Sequence, residues 1–361
     1  MSDLMSMVKN KTAMIVAGGT GGHIFPGLAV AKELHKNGWD IVWLGTSKGM
    51  ESTIIPQNNL KFESIQFSGL RGKGLATWLT LPIRLFKAFL QSAKIIYKIK
   101  PDIILGFGGY VTFPAGITGR LFGIPLLLHE QNSVAGLSNS TLAVLANKVY
   151  TAFPNVINHA HWIGNPLRHE FTQQAEPENR FNNRQGPLKI LVIGGSLGAK
   201  FLNKIIPLTI NLLPKDNRPY VTHQSGNDQF VELQENYNKL HVNAELKPFI
   251  ENTAIAFADA DLVICRSGAS TVTEMAAIGV AAIFIPLPSA VDDHQTKNAM
   301  YLIQNGAGWL QKQETLTPQK LANFICTLDR PTLLLTAIKA KKMHKQGALK
   351  ELVDACEDLI K

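Results

Sequence analysis

Residues 13–34 read AMIVAGGTGGHIFPGLAVAKEL. Five apolar residues lead into the glycine-rich loop Gly18–His23, and apolar positions then recur at the spacing of a helix that Gly38 ends. A short apolar strand that turns through glycine into an amphipathic helix is the unit from which parallel sheets are built. This stretch therefore predicts an α/β fold that starts with a strand, a glycine loop and a helix.

The same unit recurs along the chain. Further short apolar runs, followed by glycine, proline or polar residues, lie at 41–44, 103–105, 125–128, 189–193, 262–264 and 282–285. Such runs are typical of parallel strands that are buried on both faces. The run at 189–193 leads into a second glycine loop, so we expect two similar α/β domains in tandem. The polar segment from Thr172 to Pro187 is the expected linker between them.

The composition limits the class of protein and of partner. A chain of 361 residues is long enough for two domains, and 45% hydrophobic against 17% charged residues excludes a disordered chain. The net charge of +9 favours nucleic acid, an anionic membrane surface or a phosphate-rich small substrate as partner. Nucleic acid is the least supported of these, because aromatic residues are only 8% and do not alternate with basic ones.

Cysteine spacing and hydropathy indicate the compartment. The three cysteines, Cys265, Cys326 and Cys356, are too far apart for a disulfide framework or a zinc site, which fits a reducing compartment. Residues 1–14 lack the apolar core of a signal peptide, and no run of about 18 apolar residues exists. We therefore expect a cytoplasmic protein that is soluble or peripheral to a membrane.

Two common nucleotide-binding motifs do not match the sequence. A dinucleotide fingerprint needs GxGxxG, but counting from Gly19 the third glycine position is Ile24. The second strand runs into Gly45-Thr46 and lacks the acidic residue that would bind a ribose. The phosphate-loop pattern GxxxxGK[ST] is also absent from the sequence. The glycine loops therefore do not belong to a dinucleotide-dependent oxidoreductase or to a P-loop nucleotidase.

His23 is a candidate base. It begins a helix at the carboxyl edge of the first strand, which is the edge where open α/β sheets bind ligands. A neutral imidazole at that position can take a proton from a hydroxyl near pH 7. The alternative is that His23 is a polar residue that only caps the helix.

The segment that starts with Arg266 gives the strongest local signal for a nucleotide. Arg266 ends an apolar strand and offers a forked, permanently charged donor to phosphate. Small residues follow at 267–271, and the Glu274 carboxylate comes about one helical turn later, where it can accept both hydroxyls of a ribose. The alternative is a capping box, in which Ser270 or Thr271 begins the helix and Glu274 closes it. Capping explains the glutamate but not the arginine.

Six motifs carry a family resemblance. In chain order they are Gly18–His23, His129–Asn132, Gly164–Arg168, Gly194–Ser196, Arg266–Glu274 and Asp293–Gln295. Together they resemble the MurG family of cell-wall N-acetylglucosaminyltransferases, which is glycosyltransferase family 28. The resemblance runs from about Met14 to Ala307, and six motifs in order are far more specific than any one of them.

The resemblance implies a GT-B fold, in which two Rossmann-like domains with parallel sheets are separated by a cleft. The acceptor and membrane domain would span residues 1–167, the donor domain residues 168–343, and a final helix at 344–361 would return to the first domain. The implied enzyme is an inverting hexosyltransferase of peptidoglycan synthesis. It moves N-acetylglucosamine from UDP-N-acetylglucosamine to the C4 hydroxyl of undecaprenyl-pyrophosphoryl-MurNAc-pentapeptide (lipid I), and cell-wall synthesis and division proteins are among the implied partners.

The resemblance also implies roles for single residues. His23 matches a histidine beside the acceptor, and Glu130 is a second candidate base. Glu274 matches a carboxylate that binds ribose, Gln295 a glutamine near the donor sugar, and Arg168 an arginine at the domain junction. The other implied donor contacts are Thr20, Gly21, Gly22, Asn132, Ser196, Ile250, Arg266, Gly268, Ala269 and Ser270.

One position departs from the family. The second glycine loop often carries a glutamine where this chain has Leu197, and a leucine cannot form the hydrogen bond of that side chain. The neighbouring Ser196 and the loop amides remain, so we expect the same reaction.

We also expect transfer that needs no metal or other cofactor. Asp259-Ala260-Asp261 has the letters of a DxD metal motif, but it precedes a strand and is expected to end a helix. The charge of the leaving UDP would then be stabilised by Arg266 and a helix N-terminus.

A membrane-facing segment is expected in the first domain. An apolar cluster comprises Leu75, Trp78, Leu79, Leu81, Ile83, Leu85, Phe86, Phe89 and Leu90. It is flanked by Arg71, Lys73, Arg84, Lys87, Lys94 and Lys98. Apolar residues beside basic ones are typical of segments that lie on anionic lipid, and the family resemblance implies that this lipid is the cytoplasmic face of the bacterial inner membrane. The alternative is a helix that packs on the core and exposes a basic face.

Two other functions share parts of this pattern. A UDP-N-acetylglucosamine 2-epimerase has the same two-domain architecture, but it would need acidic residues at the anomeric carbon and no lipid-facing cluster. A non-catalytic module that presents the nucleotide sugar would not need a base such as His23 or Glu130.

Overall fold

The computed structural model describes residues 10–67, 79–195 and 198–361. These residues divide into two compact units, and each unit is built on its own parallel sheet. The first unit consists of the described residues up to Pro166 together with Gln346–Lys361, and the second consists of Leu167–Lys345. The predicted α/β class with two Rossmann-like, parallel-sheet domains is confirmed. Six residues named for the predicted site or the predicted membrane segment lie outside the described ranges, namely Arg71, Lys73, Leu75, Trp78, Ser196 and Leu197.

The first unit alternates strands and helices. Its strands are β1 (Thr12–Ala17), β2 (Asp40–Thr46), β3 (Lys61–Ile65), β4 (Ile103–Gly108), β5 (Leu126–Glu130), β6 (Lys148–Thr151) and β7 (His161–Trp162). Its first helices in chain order are α1 (Gly21–Lys36), α2 (Glu51–Gln57), α3 (Leu81–Ile99), α4 (Thr112–Leu121) and α5 (Leu137–Leu142). The strands pair in the order β3-β2-β1-β4-β5-β6-β7, so the strand order reverses between β1 and β4. Ligands of open α/β sheets bind at the carboxyl ends of the strands at such a reversal.

Strand β1 explains why this sheet is buried on both faces. Ala13, Ile15 and Ala17 belong to one hydrophobic cluster, whereas Met14 and Val16 belong to another. Successive side chains of a strand point to opposite faces, so a strand between two layers of helices must be apolar throughout. The continuous apolar run in the sequence is the direct consequence.

The second unit repeats this architecture. Its strands are β8 (Lys189–Ile193), β9 (Tyr220–Gln224), β10 (Glu245–Lys247), β11 (Leu262–Cys265), β12 (Ala281–Phe284) and β13 (Trp309–Leu310). Its helices are α6 (His169–Thr172), α7 (Pro177–Phe181), α8 (Lys200–Asn211), α9 (Phe230–Lys239), α10 (Thr253–Asp259), α11 (Ala269–Ile278), α12 (His294–Ile303), α13 (Pro318–Cys326) and α14 (Arg330–Lys342). The strands pair in the order β10-β9-β8-β11-β12-β13, all parallel, with the reversal between β8 and β11.

The expected linker between Thr172 and Pro187 is wrong, because this segment is folded into the second unit. Its polar residues are used as donors to backbone carbonyls. Arg180 donates to Ala258 O at 2.8 Å and to two carbonyls at the end of α11. Arg184 donates to the buried carboxylate of Asp261 at 2.6 Å. Polar composition indicated a linker here, but the guanidinium groups satisfy helix-end carbonyls that would otherwise lack partners.

The last helix, α15 (Ala348–Leu359), belongs to the first unit. It packs against α1, and Leu352 and Cys356 are fully buried in the cluster that also contains the odd-numbered residues of β1. Glu357 accepts a hydrogen bond from Trp39 Nε1 at 2.8 Å and pairs with Lys11 Nζ at 2.6 Å. Residues at the two ends of the sequence therefore complete one hydrophobic core.

No single helix in the described ranges is both long and apolar enough to cross a bilayer. Helices α13 and α14 reach that length and composition only when they are taken as a pair, and a 96° bend separates them.

Candidate active site

The first glycine loop lies at the strand reversal of the first unit. It connects β1 to α1, and Thr20 is the N-cap of α1, with an extended backbone and no hydrogen bond from its side chain to the helix. The carbonyl of Thr20 accepts from His23 N at 3.0 Å. The alternative that His23 caps this helix is therefore wrong, because His23 is the third residue of the helix proper. Thr20 is exposed, and Gly21, Gly22 and His23 are half-buried, so this helix start is open to a ligand.

The glycine loop is held in place by a second loop, which follows β4. Gly108 and Gly109 have φ of +99° and +82°, a region that side chains other than glycine rarely adopt. A Cβ added at Gly109 would overlap the backbone of Gly18, and one at Gly108 would come within 3.0 Å of the His23 ring. Glycine is needed at Gly109 because the two loops touch backbone to backbone there, and at Gly108 because the His23 ring packs against it.

A buried glutamate that sequence reasoning missed lies under these loops. The carboxylate of Glu51 is fully buried and accepts from Thr46 N at 2.9 Å and from Thr46 Oγ1 at 2.8 Å. Its second oxygen accepts from Gly19 N at 3.4 Å. A buried carboxylate must be satisfied by donors, and here the donors are the loops themselves. A single glutamate at the start of a helix gives no sequence signal for this role.

His23 is connected to the motif at the end of β5. His23 Nδ1 lies 2.9 Å from Gln131 Oε1, and Gln131 Nε2 lies 3.1 Å from His129 Nδ1. His129 is fully buried, and its Nε2 lies 2.9 Å from Gly164 O. Burial lowers the pKa of His129 to about 4, although its bond to Gly164 opposes the shift. His129 is therefore neutral at physiological pH.

Glu130, the second candidate base, is built into its own loop. It is 1% exposed, and Oε1 accepts from Asn132 N at 2.9 Å and from Asn132 Nδ2 at 3.3 Å. Oε2 accepts from Asn139 Nδ2 at 2.9 Å and from Gly136 N at 3.1 Å. Both oxygens are occupied and the group is shielded from solvent, whereas His23 is half-buried at an open helix start. The geometry therefore favours His23 as the base and gives Glu130 the task of fixing Asn132 and its loop.

The second unit places Arg266 at the carboxyl end of β11. Its Nη1 donates to Ile285 O and to Pro286 O, both at 2.9 Å, and its Nη2 donates to Gln313 Oε1 at 2.7 Å. Three of the five N–H donors of the guanidinium thus have protein acceptors, and the other two have none in the described ranges and can bind a ligand. Arg266 first braces the loop after β12, a role that its position in the sequence did not reveal.

The start of α11 offers free donors beside this arginine. Gly268 is the N-cap with an extended backbone, and no side chain caps the helix. The capping-box alternative for Ser270, Thr271 and Glu274 is therefore wrong, because the helix has already begun at Ala269. The hydroxyls of Ser267 and Ser270 are buried, and neither has a hydrogen-bond partner among the described residues. Buried polar atoms normally have a partner, so this helix start has the chemistry of an anion or hydroxyl site.

Glu274 has an unusual carboxyl group. Part of the residue reaches the surface, but its carboxyl is surrounded by protein, and this burial raises its pKa to about 7 while the charge of Arg168 opposes the shift. Arg168 is the N-cap of α6, and its Nη2 lies 3.3 Å from Thr253 Oγ1. No cation among the described residues pairs directly with this carboxyl, and a buried carboxyl with a shifted pKa is typical of a binding or catalytic group.

Replacing Glu274 with glutamine should stabilise the protein at high pH. The pKa of Glu274 in the folded protein, about 7, exceeds the ordinary value of 4.5. Ionisation of this group therefore costs no stability below about pH 4.5, and its cost to the free energy of unfolding grows as pH rises through 7. Glutamine stays neutral, so Glu274→Gln should gain about 1 to 3 kcal/mol at pH 8 and about nothing at pH 4.5. Urea unfolding at the two pH values measures this difference.

The exposed pair Glu235–Lys239 provides the control for this substitution. Glu235→Gln removes the same charge from the same unit and should change stability by less than about 0.5 kcal/mol at either pH. An equal effect of the two substitutions would contradict the assigned shift.

The remaining predicted donor residues lie on neighbouring loops of the second unit. Gln295, in the first turn of α12, accepts from Leu287 N at 2.9 Å through Oε1 and so closes the loop after β12. This loop contains Asp292 and Asp293, both with φ just above +50°. Ile250 is buried on the segment after β10. The structure thus brings Arg266, the α11 start, Glu274 and Gln295 to carboxyl ends of strands in one unit, and His23, Glu130 and Asn132 to those in the other.

The predicted membrane segment partly lies on α3. Three of its apolar side chains recur every three or four residues and share one helix face, with exposed fractions of 62% at Ile83, 63% at Phe86 and 55% at Leu90. Leu79 lies two residues before this helix begins and is 78% exposed. The opposite face packs into the core through Ala88 and Ile96. The helix thus packs on the core, as the alternative expects, but it exposes apolar side chains as well as basic ones. Leu79, Ile83, Phe86 and Leu90 are called the α3 apolar face below.

The acidic pair that matches a DxD motif has structural partners. Asp261 is fully buried, and its carboxylate accepts from Arg184 at 2.6 Å, from Lys189 N at 2.8 Å and from Arg330 at 3.3 Å. Asp259 pairs with Lys189 Nζ at 2.8 Å. Among the described residues, no group of three or more histidine, cysteine or acidic side chains could hold a metal ion.

Two family models match the chain. The model described as the glycosyltransferase family 28 N-terminal domain matches residues 13–151, and that of the family 28 C-terminal domain matches residues 189–356. Together they cover both units.

Curated proteins and solved structures agree with these models. The chain is 54% identical over 353 residues to the UDP-N-acetylglucosamine--N-acetylmuramyl-(pentapeptide) pyrophosphoryl-undecaprenol N-acetylglucosamine transferase of Paracidovorax citrulli, covering 98% of this chain and 99% of the relative. The protein of the same description from Polaromonas naphthalenivorans is 55% identical over 359 residues, covering 98% of this chain and 99% of the relative. The crystal structure of Acinetobacter baumannii MurG has a TM-score of 0.84 and 39% identity, covering 96% of this chain and 99% of that one. The glycotransferase of kitacinnamycin, at 15% identity and a TM-score of 0.71, shares the fold.

Proposed function

Because this chain belongs to glycosyltransferase family 28, we infer that it transfers N-acetylglucosamine from UDP-N-acetylglucosamine to undecaprenyl-pyrophosphoryl-MurNAc-pentapeptide. This is the step of peptidoglycan synthesis that converts lipid I into lipid II. The observation that carries it is the identity of 54–55% over 98% of the chain with transferases named for this reaction. The chain is thus a UDP-N-acetylglucosamine-dependent hexosyltransferase.

The donor is assigned to the second unit. The amides at the start of α11, the hydroxyls of Ser267 and Ser270, and the two remaining donors of Arg266 would bind the diphosphate. The carboxylate of Glu274 would accept hydrogen bonds from the ribose hydroxyls, and these would satisfy a group that is now costly to ionise. Charge that develops on the leaving UDP would meet donors that are already in place, so that transfer needs no metal. Full activity in excess EDTA is the expected result, and loss of activity that Mg²⁺ or Mn²⁺ restores would contradict it.

The first unit would supply the base. The acceptor C4 oxygen forms a bond to the anomeric carbon as the bond from that carbon to the UDP oxygen breaks, which inverts the configuration. The proton of the hydroxyl passes to Nε2 of His23, whose Nδ1 is already held by Gln131. Asn132, fixed by Glu130, is assigned to the donor sugar.

One assay separates the candidate functions. The purified protein is incubated with UDP-N-acetylglucosamine and a soluble lipid I analogue, and the products are resolved by chromatography. Disaccharide with release of UDP is expected. Free 2-epimer would indicate an epimerase, and tight UDP binding without turnover would indicate a module that only presents the donor.

The protein would reach its lipid-linked acceptor as a peripheral protein on the cytoplasmic face of the inner membrane. Support comes from the α3 apolar face and from basic neighbours on the same helix, among them Lys87 and Lys94, which are exposed. Apolar side chains that enter the interface and cations that attract anionic lipid act together in such contacts.

Making the α3 apolar face polar should release the protein from membranes. Leu79→Gln combined with Phe86→Gln should lower binding to vesicles that contain phosphatidylglycerol by about tenfold or more, since two exposed apolar side chains no longer enter the interface. Vesicle sedimentation measures the bound fraction. Val231→Gln, at a residue of the second unit that is 68% exposed, is the control and should bind normally. Equal binding of all variants would remove α3 as the attachment face.

A further inference from the structure

Four polar groups form a line from the interior of the first unit to His23. In order they are Gly164 O, the His129 ring, the Gln131 amide and the His23 ring, with 2.9, 3.1 and 2.9 Å between successive atoms. Gln131 Nε2 also lies 3.0 Å from the carbonyl oxygen of His129. Gln131 and His129 are fully buried, and the His23 end is half-buried. Sequence reasoning included Gln131 in a motif but gave it no role.

The donors and acceptors in this line can be assigned from the groups that have no choice. A backbone carbonyl only accepts, so the end of Gln131 that faces His129 O must be its NH₂ group. The other end of the amide is then the carbonyl oxygen, and it faces His23 Nδ1. An oxygen acceptor at this distance requires hydrogen on Nδ1. A hydrogen on Nε2 alone would instead set two lone pairs against each other.

The same logic holds at the buried end. Gly164 O accepts from His129 Nε2, which therefore carries hydrogen. Burial keeps this ring neutral, with its pKa lowered to about 4, so His129 Nδ1 is an acceptor for the second hydrogen of the Gln131 amide. Every group in the line thus has one consistent role, and the amide cannot turn over without breaking two hydrogen bonds.

We propose that Gln131 and His129 are positioning residues that hold His23 in the tautomer with hydrogen on Nδ1, which leaves Nε2 as the proton acceptor. This rests on the proposed function only in naming the acceptor hydroxyl as the source of the proton. The line does for His23 what a buried carboxylate does for the histidine of a serine protease, where the wrong tautomer lowers kcat by about 10⁴. A neutral amide fixes the tautomer without adding charge.

The tautomer can be observed directly in the natural protein. Selective labelling of the histidine side chains with ¹⁵N and two-dimensional NMR distinguish a protonated from an unprotonated ring nitrogen, and a His23→Gln variant identifies the His23 signals. We expect the neutral ring of His23 to carry hydrogen on Nδ1. Hydrogen on Nε2 would overturn the proposal whatever the kinetics of any variant.

Gln131→Met tests whether the hydrogen bond from Gln131 fixes the tautomer of His23. Methionine fills a similar volume but offers no amide, so the His23 signals should change to a mixture that includes the Nε2–H tautomer, and kcat should fall about 10- to 100-fold with little change in the KM for UDP-N-acetylglucosamine. Unchanged His23 signals together with a lower kcat would mean that Gln131 acts only through the fold, which contradicts the proposal.

A double-mutant cycle separates this inference from the base assignment itself. In a His23→Ala background, adding Gln131→Met should lower kcat by less than about threefold, because the residue through which Gln131 acts is absent. A further loss as large as that in the natural protein would overturn the positioning role. If His23→Ala alone kept full activity, the proposed base would be wrong, whereas the NMR result on the tautomer would still stand.

Discussion

Replacing His23 with alanine should lower kcat by about 10² to 10⁴-fold, the range that a positioned general base contributes. The KM for UDP-N-acetylglucosamine should change by less than about threefold, because the residues assigned to the diphosphate and the ribose of the donor belong to the second unit. Steady-state kinetics with a lipid I analogue, with each substrate varied in turn, measure both constants.

His35→Ala is the matched control for this prediction. His35 lies in the last turn of the same helix as His23 and is exposed, and its Nδ1 is 3.2 Å from Trp39 O just beyond the end of α1. Its loss removes an imidazole and one hydrogen bond from α1 but should leave kcat unchanged. If His23→Ala retained more than about a tenth of the natural kcat, another group would have to remove the proton.

The second large effect is expected from Gly109→Ala, which should destabilise the first unit by about 3 to 5 kcal/mol. The φ of +82° disfavours any residue with a Cβ, and the added methyl group would overlap the backbone of Gly18, which cannot move aside as a flexible side chain would. The glycine loop that carries Thr20 and His23 would shift with it. Both the urea midpoint and kcat should therefore fall.

Gly123→Ala separates the cost of the positive φ from the cost of overlap with a neighbouring backbone. Gly123 belongs to the same unit and has a φ of +75°, but no described atom lies within 4 Å of an added Cβ. This variant should lose only about 1 kcal/mol, the cost of the backbone conformation alone, and should keep its kcat. Equal losses at the two positions would show that contact with Gly18 contributes nothing.

The sequence predicted the central strands better than the edges of each sheet. Strands such as β1 and β11 are covered on both faces, so they are apolar throughout and their ends are marked by glycine or by Arg266. Strands β3 and β10 read KFESI and ELK and lie at the edges of their sheets. Polar side chains can face solvent there, so these strands lack the continuous apolar run that marks a central strand.

The sequence predicted those parts of the candidate site that depend on a local motif. Local motifs identified His23, Glu130 and Glu274 as candidates, since His23 and Glu274 follow a strand and a glycine-containing turn and Glu130 ends a strand. The roles of Glu51 and Gln131 depend on contacts between residues far apart in the chain, and so does the finding that Arg266 braces a loop. No spacing in the sequence contains that information.

Helix α15 gives the first unit an unusual order of synthesis. The strands and helices of this unit up to Pro166 leave the ribosome early, but the surface of α1 and Trp39 that α15 covers stays open until the whole second unit has been translated. Domains usually fold one after another as they emerge. The first unit is translated first but is completed last, so the nascent chain exposes the apolar surface of α1 while Leu167–Lys345 is translated. A chaperone would be expected to bind at that surface.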